Sequence, residues 1–275
     1  MFREYLPTPA LESYVDRFWT KIGRASDSLA AEQRILPDGC VDILFDLTRS
    51  PIGFVVGTMT RAIVVASTQP QHVIAVRFRP GAAFAFLRTP VFELTDRHID
   101  LDDVLPNMRA LGERLAAITR ERPEAAVLEL ERELLRRLPR IAPLDPLVLA
   151  GIERLLRQRN PLRIAELAQA LGVTRQHLAR QFKVHVGIAP KEFERVARMM
   201  RLRRHLAGDL AGDVPPNTSA AMKHPSAAQL ACELGYYDQS HMIHEFKSLS
   251  GLTPREYAAR QRGAGADREG AGSRL

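Results

Sequence analysis

The chain has 275 residues, is 45% hydrophobic with a single tryptophan, and carries a formal net charge of +7. That is enough for two cored domains and excludes a disordered or fibrous class. Cys40 and Cys232 are too few for a disulfide framework or a four-cysteine zinc site, and no run approaches the roughly 18 apolar residues of a membrane span. The N-terminus mixes charges from its third residue and lacks a signal-peptide core, so a reducing, cytoplasmic setting without a membrane partner is expected.

The charge is unevenly placed. In residues 1–140, 19 Lys+Arg balance 19 Asp+Glu, whereas residues 141–275 carry 20 against 13. A basic half favours a polyanion through counterion release.

Residues 1–105 predict a mainly-β region. A short helix is expected at 9–14 and extended chain at 16–22. The runs 41–47, 52–59, 62–66 and 72–78 are rich in β-branched and aromatic residues and bounded by Pro, Gly, Ser or Thr. Short strands at this spacing predict a sandwich or barrel. Arg79-Pro80-Gly81 ends the last run, and 82–87 reads as helix. Arg77 and Arg79 lie two apart and share a strand face. They form either an anion-binding pair for an effector or a solvated face or internal ion pair with Asp42 or Asp46. His72 and His98 lie far apart with no His-x-His pattern, so no metal and no cofactor is expected.

Helices are predicted at 108–118 and 123–138. The second carries a seam of Val127, Leu128, Leu130, Leu134, Leu135 and Leu138 that fits either a second copy of the chain or its own domain. A hinge near 136–143 closes an N-terminal sensing or dimerisation domain over 1–140. A DNA-binding domain follows over 141–262, then a low-complexity tail at 263–275, read as disordered.

Residues 145–157 predict a further helix, and an internal repeat follows. Residues 167–193 read LAQALGVTRQHLARQFKVHVGIAPKEF, and 230–257 read LACELGYYDQSHMIHEFKSLSGLTPREY. Gly172 and Gly235 are 63 positions apart, whereas Phe182 and Phe246, and Pro190 and Pro254, are 64 apart. The slip falls in the turn, where an insertion costs least. Each copy predicts a helix ended by glycine and a second helix capped by Thr174 or Asp238. Leu178 and Phe182, or Met242 and Phe246, face inward, and Ser226 and Gln229 have capping-box spacing. Helix, glycine turn and polar second helix is the helix-turn-helix pattern, whose second helix fits a major groove about 12 Å wide.

Both copies, with the tail G-[IL]-[AT]-P-[KR]-E-[FY], closely resemble the DNA-binding domain of AraC/XylS-type transcription regulators, over roughly residues 146–260. The resemblance implies two helix-turn-helix units joined by a long helix near 191–206, behind an N-terminal effector or dimerisation domain. Its base-reading positions fall on Gln176, Ala179 and Arg180, and on Gln239, Ser240, Ile243 and His244. Arg175, Lys183 and Lys247 are the expected phosphate contacts. The segment 208–225 departs from the family's short connection and reads as a loop. ILPDGCVDILFDL and VRFRPGAAFAFL resemble a divergent N-terminal domain of some such regulators, which implies a cupin-like β-fold.

The expected fold class is therefore α+β, a mainly-β cupin-like barrel or sandwich followed by an all-α domain. The expected function is sequence-specific transcription regulation modulated by a small-molecule effector. Double-stranded DNA, RNA polymerase and a homodimer mate are the expected partners. The alternative is a DNA-binding module fused to a catalytic N-terminal domain, but Cys40 is that region's sole cysteine and no Ser-His-Asp order, paired-carboxylate motif or phosphate-binding glycine loop stands out.

Overall fold

The computed structural model describes residues 1–23, 32–48, 53–66, 71–118, 122–158, 163–206 and 226–261. The loop expected at 208–225 and the tail from 263 lie outside them.

The N-terminal part is built on an antiparallel sheet. Strands β1 (Phe2–Tyr5), β2 (Val15–Gly23), β4 (Val41–Asp46), β5 (Gly53–Val56), β7 (Gln71–Phe78) and β8 (His98–Asp100) lie in the order β1-β2-β7-β4-β5-β8. Strands β3 (Glu32–Ile35) and β6 (Ile63–Ala66) form a separate two-stranded ribbon. The alternation of β7 sends Ile74, Val76 and Phe78 to one face, where they are buried with Phe18, Ile43 and Phe45. Helices close that face: α1 (Ala83–Leu87), α2 (Leu101–Val104), α3 (Arg109–Ala117) and α4 (Pro123–Arg137), with Phe86, Leu101, Leu115 and Leu130 in the same core. The leucine seam is thus resolved. Val127, Leu130 and Leu134 are buried against the chain's own sheet, while Leu128 faces outward.

The C-terminal part is helical: α5 (Pro146–Arg157), α6 (Ile164–Ala170), α7 (Arg175–Val186), α8 (Pro190–Leu206), α9 (Ala227–Glu233), α10 (Gln239–Ser250) and α11 at residues 254–261. It has two cores, one for each repeat copy. Leu167, Leu178, Phe182 and Phe193 belong to the first, and Leu230, Met242, Phe246 and Tyr257 to the second. The long helix α8 feeds both, through Phe193 and Val196 at one end and Met199 and Leu202 at the other.

The shared Pro-x-Glu of the tail motif is a helix start used twice. Pro190 and Pro254 open α8 and α11, where a missing N–H costs nothing. The glutamate two residues on accepts from the backbone in front of the helix. Glu192 takes Ala189 N–H at 2.9 Å, and Glu256 takes Thr253 N–H at 2.7 Å.

Candidate nucleic-acid interface

Each second helix is held by a cap that accepts from its first turn. Thr174 accepts from His177 N–H at 3.2 Å and Asp238 from His241 N–H at 2.7 Å. The turns before them pass through Gly172 and Gly235 at φ +70° and +81°, a region costly for a residue with Cβ. Ser226 and Gln229 complete the expected capping box ahead of α9.

The inward faces of α7 and α10 bury Leu178, Phe182 and Val186, and Met242, Phe246 and Leu249. Their outward faces hold the expected base-reading positions. Gln176, Arg180, Gln239, Ser240 and His244 are exposed, and Ala179 and Ile243 are half-buried between them. Arg175, Lys183 and Lys247 are exposed on the same helices. Arg180 Nη2 rests 3.3 Å from His177 Nδ1, a contact that DNA can replace. The sequence reading omits Tyr237. It is 87% exposed beside the Asp238 cap, where the one-residue slip of the second copy leaves an aromatic with nothing to pack on.

Four cations of α8, Lys191, Arg195, Arg198 and Arg201, are engaged within the helical part instead. Arg198 is buried, donating to Glu194 at 2.8 Å and to both oxygens of Glu245 at 2.9 and 3.0 Å, with its guanidinium 5.3 Å from the centre of the Tyr236 ring. Arg195 adds a bond to Glu245 at 3.1 Å, and Lys191 pairs with Glu194 at 2.5 Å. Glu245 therefore brings no charge to the recognition surface. It fastens α10 to α8, although Glu245 and Arg198 stand 47 positions apart. Arg201 closes the end of α5, donating to the Leu155 and Leu156 carbonyls at 3.2 and 3.4 Å.

The expected effector pair behaves otherwise. Asp42 lies opposite Arg77 in the β4–β7 register and receives its guanidinium at 3.1 Å, with Asp38 at 3.0 Å. Trp19 Nε1 also donates to Asp42 at 3.2 Å. Two carboxylates drive the Arg77 pKa upward despite burial. Arg79 lies beyond the strand end and donates to the Glu12 carbonyl at 2.6 Å. Arg77 thus takes the internal ion pair of the two readings, and the arginines do not act as one clamp. A cavity of about 410 Å³ lies elsewhere, between β5, β8 and the ribbon, lined by Met59, Arg61, Ala62, Ile63, Arg97 and His98. Burial raises the Cys40 thiol well above its ordinary pKa, which leaves it a poor nucleophile. Among the described residues, no group of three or more His, Cys, Asp or Glu could hold a metal ion, and no helix is long and apolar enough to cross a membrane.

Residues 167–260 match a family described as a helix-turn-helix domain, and residues 3–100 match one described as a domain of unknown function. The C-terminal part is an AraC-type helix-turn-helix domain. Over 54 residues the chain is 44% identical to the Regulatory protein ada of Salmonella typhimurium, a match spanning 20% of this chain and about 15% of that relative's length. The DNA-binding domain of AdpA, a global transcriptional factor solved in complex with a target DNA, is 20% identical and covers 44% of this chain and 96% of its own, with a TM-score of 0.35. ToxT from Vibrio cholerae O395 is 11% identical and covers 94% of this chain and 96% of its own, with a TM-score of 0.39. Within the AraC-type domain, both copies of the helix-turn-helix are complete in caps, turn and buried face.

Proposed function

We propose that the chain is a sequence-specific DNA-binding transcription regulator. Two capped helices of groove-fitting size, each with its reading turns exposed and its opposite face buried, carry this reading. Arg180 takes guanine and Gln176 adenine, while Ile243 meets a thymine methyl. Arg175, Lys183 and Lys247 hold phosphates. Tyr237 joins the second surface through its exposed ring. Selection from a randomised DNA pool tests the reading. A recovered motif with two half-sites supports it, and recovery of unrelated sequences with equal affinity makes the chain a non-specific binder.

In this reading the N-terminal part modulates DNA engagement by binding a small molecule, shifting a pre-existing equilibrium of arrangements. The cavity beside the ribbon is the candidate place for it, because its volume falls within the usual range of about 300–1,000 Å³ for ligand sites and apolar groups share its wall with Arg61, Arg97 and Asp96. Calorimetric titration of candidate metabolites against the wild type and Arg61→Glu checks this. A ligand that binds both proteins equally places the effector elsewhere.

A further inference from the structure

A helix leaves its last carbonyls without partners inside the helix. In α7 and α10 the glycine that follows, Gly187 or Gly251, turns into the left-handed region at φ +94° or +74° and returns its N–H to the Lys183 or Lys247 carbonyl. The carbonyls of Val186 and Ser250, 64 positions apart and equivalent in the repeat, point onward. Both are met by the N-terminal part. Thr58 Oγ1 donates to the Val186 carbonyl at 2.6 Å, and Arg34 Nη1 donates to the Ser250 carbonyl at 2.9 Å. A second bond supports each contact. Thr95 Oγ1 donates to Gly187 O at 2.9 Å, and Ala62 N–H donates to Leu249 O at 2.7 Å.

The glycines have a double duty at this point. A Cβ on Gly187 would lie 2.7 Å from Thr95 Oγ1, and one on Gly251 would lie 2.8 Å from Arg34 Nη1. The residue that allows the turn also admits the donor. Donors, one of them cationic, suit the negative end of a helix.

We propose that Arg34 and Thr58, supported by Ala62 and Thr95, are positioning residues for DNA recognition: they grip the far ends of both recognition helices and set the separation of the base-reading turns. The proposal rests on the reading of α7 and α10 as the helices that enter the grooves. The base-reading residues lie roughly 9–17 Å back along each helix from the grip at 1.5 Å per residue, so a small tilt at the grip displaces them. The grips differ in kind. At the first, Thr58 is fully buried, Phe193 packs over Gly39 and Ile152 packs over Gly81. The second is carried by the ribbon, through Arg34, Ala62 and the Leu36 side chain set into the core of the second copy. The second reading helix is therefore the adjustable one. The ribbon's root, at Arg61, Ala62 and Ile63, also lines the cavity, which gives a ligand there a mechanical route to α10.

The test needs no DNA. In the full chain with Cys40 and Cys232 replaced by serine, spin labels are placed at Gln176→Cys and Ser240→Cys, and the distance between them is read by pulsed dipolar spectroscopy. One narrow distribution is expected for the parent. Arg34→Ala broadens it or shifts it by several ångströms, Arg34→Lys restores it, and Thr58→Val, which keeps the side-chain shape, changes it less. A thermal melt of each variant separates loss of the grip from loss of the fold. A distribution unchanged in both Arg34→Ala and Thr58→Val would overturn the proposal. Failure of the unlabelled wild type, with Gln176 and Ser240 intact, to select any DNA motif would instead count against the DNA reading and leave the distance result standing.

Discussion

Arg180 and its neighbours divide the work of recognition by the chemistry of their ends. A planar guanidinium can take a guanine edge with two bonds, worth about 1–3 kcal/mol against the wrong base, whereas the proposed reading gives Arg175 and Lys183 to phosphate. Arg180→Ala is therefore expected to relax preference at one base position, seen as a roughly 5- to 150-fold loss of discrimination in competition binding. An equal fall across all sequences would mean that Arg180 touches only phosphate. Replacing Arg175 or Lys183 by alanine lowers the slope of log affinity against log salt by about one, and an unchanged slope shows a bystander. His185 offers a test of the joint between the parts. It packs on the Phe84 ring and lies 3.6 Å from Asp145. Desolvation lowers its pKa, opposed by Asp145, so the folded state favours the neutral ring. The stability tied to it is present above the ordinary histidine pKa of about 6.5 and is lost as pH falls toward the depressed value. Urea midpoints across that window fall for the wild type and are expected to fall less for His185→Gln.

At the scale of elements, the lock between α8 and α10 governs the second copy. Arg198 and Glu245 are almost fully buried, so removing one partner strands the other's charge. Arg198→Met alone is expected to cost about 3–5 kcal/mol, and the triple change Arg198→Met, Glu194→Leu, Glu245→Leu to recover most of it, as buried ionic clusters replaced by apolar groups do. Denaturant unfolding of the three proteins decides, and a single change that costs under about 1 kcal/mol would show the lock to be idle. Both helix-turn-helix units were legible in the sequence because their signals are local. Thr174, Asp238, Gly172, Gly235 and the Ser226–Gln229 box act within a few residues of themselves. The lock was not, because Glu245 finds Arg198 from another helix and reads, in sequence, as one more charge on an outer face. Strands β1, β3 and β8 also escaped. They span four, four and three residues and, unlike the equally short β5 and β6, carry charged residues in place of a β-branched run. With β3 went Arg34, whose partner is a carbonyl 216 positions away.

For the whole molecule, the decisive feature is that one β-rich body holds the same end of two repeated helices and leaves the other ends open. The arrangement converts a duplicated sequence into two reading surfaces with a set separation. In the proposed mechanism the ribbon, whose strand β3 no sequence pattern revealed, is the element through which a change in the N-terminal part would reach DNA. The most direct test of this account is hydroxyl-radical footprinting of the full chain on a sequence selected from a random pool, in the presence of competitor DNA. Two protected segments on one face of the duplex, about 34 Å apart, are expected, with Arg180→Ala weakening protection in one of them only. A single protected segment, or protection that spreads evenly and vanishes with competitor, would contradict the paired-helix mechanism.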